Sequence, residues 1–437
     1  MSSEAISPVD GRYRGEVKEL ARYLSEEAFF RARFKVELEY LSLLSRLGIA
    51  PRRRVPALSL SVEKVRSVER RVGHDVKALE VYIREELKRS GASELSPFVH
   101  LGLTSEDTNS IAFARLLSSA IRTVVVPAYA SLSLSLARIA GRESRTAMLA
   151  RTHGRPAVPT TFGKEMGIFA YRIAERTFVL GSLRPVAKLS GAVGTYASFR
   201  LLADLDWQKE LGDFVRGMGL DYAPYTTQVA PGERLSDILH LVMNVNQLML
   251  GLCRDLWMYQ MLGYVTFTRG RKVSSSTMPQ KVNPVDLENA EGQAELSNAL
   301  LSTIGYKLQT TRLQRDLSDS VLRRAVGQAI AHSLIACKRV SSSLSSMTVE
   351  RNVMSQDIAR HPEVFSEAVQ VLMRAAGDER GYEKVRRAVE RGKFEIPEDY
   401  RERIGDYLGD APSLAEQSRL DVERLLSSLK SGARINF

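Results

Sequence analysis

Residues 233–259 read ERLSDILHLVMNVNQLMLGLCRDLWMY. Apolar side chains recur at Ile238, Val242, Val245, Met249, Leu252, Leu256 and Tyr259, in alternating steps of four and three. That spacing lays one continuous stripe along a helix, the seam of a helical bundle. Leu322, Val326, Ala329, Ser333, Ala336 and Val340 repeat the same steps, and 127–144, 164–184 and 285–313 are also helix-like. Proline removes a backbone donor and clashes inside a helix. None falls in the 47 residues between Pro231 and Pro279, nor in the 77 between Pro284 and Pro362, so both runs permit long helices. No run of alternating strands rivals these patterns. The chain reads as all-α, with three helical regions at 1–105, 106–350 and 351–437, the middle one a bundle of long helices.

Composition narrows the class. The chain has 437 residues, 44% hydrophobic and 26% charged, which excludes a disordered or low-complexity protein. No run of 18 apolar residues exists, so no membrane partner is expected. Met1–Tyr13 lacks the pattern of a secretory signal, and the expected compartment is the cytoplasm. Two cysteines, Cys253 and Cys337, cannot make a four-thiolate zinc site; both fall in apolar helical patterns and read as buried. The net charge is +11, but it is scattered, and Arg52-Arg53-Arg54 is the only run of three. No basic tail suggests a nucleic-acid partner.

Four segments crowd polar residues where a helical core has no use for them. Lys272-Val-Ser-Ser-Ser-Thr-Met-Pro-Gln-Lys-Val-Asn-Pro284 joins two helical patterns and reads as a loop. Its Lys281 and Asn283 can offer two donors to one anion, and backbone N–H groups in such a loop can hold an oxyanion. Ala150-Arg-Thr-His-Gly-Arg-Pro-Ala157 puts His153 ahead of a long helix, at what reads as a helix start. Pro97-Phe-Val-His-Leu-Gly-Leu-Thr-Ser-Glu-Asp-Thr-Asn109 has the residues of a helix N-cap at Thr104 and Ser105, and a helix N-terminus also receives anions. Arg71-Val-Gly-His-Asp-Val-Lys-Ala-Leu-Glu80 reads as a polar helix start at His74 and Asp75.

The first of these resembles the signature loop of the fumarase/aspartase superfamily, with Ser274 where that pattern has glycine. The Arg-Thr-His-Gly and Leu-Thr-Ser-Glu-Asp segments are similar to those of its adenylosuccinate lyase branch. The resemblance implies an all-α homotetramer with a multi-helix core and active sites shared among three subunits. It implies elimination of fumarate from adenylosuccinate or from the succinyl-carboxamide ribotide (SAICAR), with no metal or organic cofactor. It makes Ser275 the base and His153 the general acid, a residue that titrates near neutrality. Lys281, Asn283 and Met278 belong to the signature loop. Glu288, read as two turns into the following helix, would orient a histidine. Thr104 and Ser105 would bind the succinyl part, His100 would assist, and Thr152 would contact substrate beside His153. His74, next to Asp75, would contact the phosphate. Ser7-Pro-Val-Asp-Gly-Arg-Tyr13 is similar to the opening of one branch of the family, where Arg12 and Tyr13 would hold the nucleotide. Gln228, Arg315 and Ser320 match further contacts. The next arginine is Arg323 or Arg324, and ungapped spacing favours Arg324. The rival readings are a sister enzyme such as argininosuccinate lyase, or a non-catalytic helical scaffold that binds nucleic acid.

Overall fold

The structure is a computed structural model that describes residues 4–268, Met278 and 282–432, with side chains to 429. The long helices run at Glu26–Arg46, Val126–Arg142, Phe162–Ser182, Glu233–Met261, Val285–Leu308 and Ser318–Ser346. The stripe that decided the fold is interior: Ile238, Val242, Val245, Met249, Leu252 and Leu256 are all buried, as are Val326, Ala329, Ser333, Ala336 and Val340. Cys253 and Cys337 are buried free thiols. The described strands are short and form three two-stranded pairs.

The chain divides into two compact units, each drawn from three stretches. One comprises Met1–Pro127, Val179–Asn244 and Glu295–Ile335; the other comprises Ala128–Phe178, Val245–Ala294 and Ala336–Phe437. Several long helices therefore begin in one unit and end in the other.

In the first unit, helices Glu26–Arg46, Val62–Val72, Asp75–Arg89 and Ser105–Ala120 enclose a core that includes Tyr40, Leu44, Leu79, Ile83, Leu87, Leu95 and Phe199. Their starts follow local chemistry. Ser25 accepts the Ala28 N–H at 3.1 Å and Ser61 that of Lys64 at 3.3 Å, satisfying donors that have no partner inside the helix. Gly73 ends Val62–Val72 with φ +70°, the left-handed turn that glycine adopts freely, and the next helix starts two residues later.

In the second unit, strand Ala147–Thr152 pairs antiparallel with Arg155–Thr161, and Val265–Phe267 pairs antiparallel with Met347–Val349. Arg351 clamps the buried carboxylate of Glu143 with two bonds, of 2.8 and 2.7 Å. A small apolar cluster, Ala368, Val369, Val385 and Ile404, holds the helices toward the C-terminus.

The helical run Ser105–Arg142 is long and apolar enough by composition to cross a bilayer, contrary to the expectation from apolar runs. Glu106 and Asp107 in its first turn are buried and ion-paired, and Tyr129, Leu132 and Leu136 lie inside the protein. These are the marks of a core helix.

Candidate active site

The first unit contains a cleft of about 630 Å³. Eight residues singled out in the sequence line it: His74, Asp75, Thr104, Ser105, Gln228, Arg315, Ser320 and Arg324. They come from four separate stretches and meet because helix ends converge there. His74 caps the Asp75–Arg89 helix, its Nδ1 accepting the Lys77 N–H at 3.3 Å. Thr104 caps Ser105–Ala120, and Asp107 Oδ2 accepts the Thr104 N–H at 2.9 Å. Two helix N-termini thus open on one cavity, each presenting backbone N–H groups that favour an anion.

Residues that the sequence reading left out, Glu106 and Arg33, pair with ones it named and hold this cleft in shape. Glu106 is 1% exposed. Its Oε2 accepts Arg315 Nη1 at 2.8 Å, and its Oε1 accepts Arg323 Nη1. Burial pushes the Glu106 carboxyl up, but Arg323 and Arg315 outweigh it and leave the carboxyl below its ordinary value. Arg323 also faces Asp319 at 3.1 Å. Arg33, 5% exposed, stacks with its guanidinium carbon 3.9 Å from the Phe29 ring centroid. Arg33 bonds Asp75 at 2.8 Å and the Asn109 side-chain oxygen at 2.7 Å. Its own burial lowers the guanidinium, and Asp75 opposes that.

A second buried pair joins the cleft's edges. Lys188 and Asp107 are both fully buried and meet at 2.9 Å. Lys188 Nζ also donates to the carbonyls of Gly191 at 2.7 Å and Gln228 at 3.1 Å. Asp107 Oδ1 accepts the Ser190 N–H at 3.0 Å. One ion pair therefore ties the Thr104 cap to the Gln228 backbone, with its polar atoms satisfied as a buried charge requires.

The arginine ambiguity now has a geometric side. Arg323 is committed to Glu106 and Asp319. Arg324 is exposed and makes no ion pair among the described residues; its one bond is to the Ser320 carbonyl, at 3.5 Å.

Other expected residues lie elsewhere. Arg12 and Tyr13 sit in the turns before Arg14–Glu16 and do not line the cleft. His100 also does not line it and contacts Glu37 at 2.7 Å. In the second unit, His153 is not at a helix start. It occupies the tip of the hairpin between Thr152 and Arg155, with φ +55°, followed by Gly154 at φ +74°. Two successive positive φ values are what a two-residue hairpin turn demands, with glycine favoured at its second position. The following helix begins only at Phe162. Glu288 lies in the first turn of its helix, not two turns in, because Pro284 delays the start to Val285. Its Oε1 accepts the Trp257 indole N–H at 3.3 Å. Met278 is exposed and Asn283 half-buried, while Ser275 and Lys281 lie outside the described residues. Arg33 carried no local signal; Glu106 stood inside the motif that ends at Asn109, and Arg323 was the alternative that ungapped spacing set aside.

A family described as "Lyase" matches residues 57–295, and one described as "Adenylosuccinate lyase C-terminal" matches residues 311–414. An adenylosuccinate lyase of Legionella pneumophila (strain Corby) is 34% identical over 447 residues, covering 98% of this chain and 96% of its own. That of Escherichia coli (strain K12) is 33% identical, covering 95% and 99%. Among solved structures, a 3-carboxy-cis,cis-muconate lactonizing enzyme from Pseudomonas putida superposes with a TM-score of 0.72 at 20% identity, over 95% of this chain and 97% of that one. At that identity the likeness shows the fold.

Proposed function

Because the chain belongs to the adenylosuccinate lyase family of carbon–nitrogen lyases, we propose that it converts adenylosuccinate to AMP and fumarate. The same site would split SAICAR into its carboxamide ribotide and fumarate. The observation that carries this reading is the charge balance of the cleft. Arg33, Arg315 and Arg323 are matched by Asp75, Glu106 and Asp319, while Arg324, in the same cleft as two helix N-termini, makes no ion pair among the described residues. That supports a phosphate at Arg324, Ser320 and His74, and a succinyl carboxylate at Thr104 and Ser105. Gln228 and Arg315 would complete the nucleotide pocket, with Arg12, Tyr13 and Thr152 supplied as further contacts across a homotetramer whose sites draw on three subunits.

The chemistry is an elimination. Ser275, as alkoxide, takes a proton from the succinyl carbon beside a carboxylate. The electron pair becomes the double bond of fumarate as the C–N bond breaks, and His153 gives a proton to the leaving nitrogen. Charge building on the carboxylate is met by Lys281, Asn283 and loop N–H groups, which lower the barrier only if they are already aimed at it. A serine serves as base only where neighbouring cations favour the alkoxide. Glu288 orients a histidine, and no step uses a metal.

Ultraviolet absorbance of adenylosuccinate mixed with the purified enzyme tests the reading. Loss of the succinyl-purine band with an equal amount of fumarate is expected. No change at moderate or high temperature, together with turnover of argininosuccinate, would replace it with the sister reaction.

A further inference from the structure

Two histidines of the first unit are held in opposite tautomers. At His74, Nδ1 accepts a backbone N–H, so in this geometry Nδ1 has no proton and Nε2 carries the hydrogen. At His100, Nδ1 lies 2.7 Å from Glu37 Oε1. A carboxylate only accepts, so here Nδ1 carries the hydrogen. Nε2 of His100 has no hydrogen bond among the described residues, which leaves it a lone pair when the ring is neutral and an N–H when it is charged. In this geometry His74 presents an N–H at Nε2, and His100 is a group that can gain and lose a proton.

Glu37 is built to serve that ring. Its side chain is 1% exposed. The Thr108 hydroxyl donates to the same Oε1 at 2.7 Å, and Oε2 is buried without a partner. No lysine or arginine pairs with Glu37 among the described residues, so the His100 imidazolium is the one cation available to its buried charge. The neighbouring carboxylates are already served: Glu80 by Lys77 and Arg84, and Asp107 by Lys188. His100 itself is held at φ +61°, a conformation that L residues disfavour, while Tyr40 donates to the next carbonyl, Leu101, at 2.7 Å.

We infer that Glu37, assisted by Thr108, is the positioning residue that fixes the tautomer and charge of His100 for proton handling in the lyase reaction. This rests on the reading of His100 as an assisting residue of that reaction. Burial pulls the His100 imidazolium down, but the hydrogen bond and charge of Glu37, with Glu80 and Asp107, outweigh it, and the group titrates above the ordinary histidine value.

The test is hydrogen–deuterium exchange at the imidazole C2 position in the full-length enzyme, read peptide by peptide across a pH series, for wild type and Glu37→Gln. With six histidines in the chain, His100 can be followed alone. The glutamine variant should lower the His100 titration midpoint by about one unit or more, since it removes a buried countercharge. It should also cut kcat at neutral pH about tenfold, with KM changed far less and the pH optimum moved to the acid side. Glu37→Asp, which keeps the charge and lengthens the contact, should shift both in the same direction by less, and it serves if the glutamine variant does not fold. An unchanged His100 midpoint overturns the inference. So does a shifted midpoint with unchanged turnover, because the His100 charge that Glu37 sets would then have no part in the reaction. If the wild-type enzyme shows no lyase turnover, the functional reading falls and the exchange measurement still decides the pairing.

Discussion

The cleft of the first unit and the hairpin tip of the second present by opposite means the side chains proposed to act. In the cleft, Arg315 and Arg323 are aimed by the buried carboxylates of Glu106 and Asp319 and Arg33 by the half-buried Asp75, and the groups left open are the exceptions. At the tip, His153 is exposed and placed by backbone alone, through a two-residue turn with φ +55° and +74°. Recognition of a large anion needs several charges fixed in register, and fixing buried charges needs partners. Delivering one proton needs one ring on a stiff support. The consequence is a separation of effects. Cleft substitutions should be felt in stability, and those at the tip in turnover.

The largest expected effect is at the tip. His153→Ala should lower kcat by about 10²–10⁴-fold and leave the melting temperature unchanged. Steady-state kinetics beside calorimetry check it, and a large loss of stability would break the contrast. Next is Glu106→Ala, which takes the shared carboxylate from Arg315 and Arg323 and leaves them only Asp319. It should cost about 3–5 kcal/mol of folding stability, measured by denaturant unfolding; a loss near zero would mean the clamp does not hold the cleft.

The pH dependence sharpens the same point. The folded Glu106 carboxyl lies below its ordinary value of 4.5. A depressed carboxyl contributes its full stability above the unfolded value and loses it as pH falls through the folded one. Glu106→Gln should therefore be less stable than wild type at neutral pH, and the two should converge as acid protonates the wild-type carboxylate. Parallel curves down to low pH would assign the stability to packing. The smallest effect is Gly154→Ala. A Cβ there meets nothing within 4 Å, so only the positive φ matters. About 1 kcal/mol is expected, with some loss of kcat as the tip relaxes.

Much of the fold was legible because its cause is local. Heptad steps from Ile238 to Tyr259 and from Leu322 to Val340 state which face is inside, and proline spacing bounds the helices. A third of the cleft's lining was legible too, since eight of its 24 residues stand in short motifs. The reading failed where one local rule competed with another. His153 precedes a helix by nine residues, and the chain spends them on a hairpin that the Thr-His-Gly-Arg order also permits. Glu288 shifted by a turn because Pro284 set where the helix could begin.

The linear order of residues determined the helices, their buried faces and the family. The pairing of charges was decided only by the tertiary structure. Glu106 meets Arg315 and Arg323 across 209 and 217 residues, and His100 meets Glu37 across 63. Any glutamate on a polar helix face reads alike in sequence. Burial makes one of them an anchor, by removing the water that would otherwise neutralise its charge and leaving a distant arginine or histidine to do so.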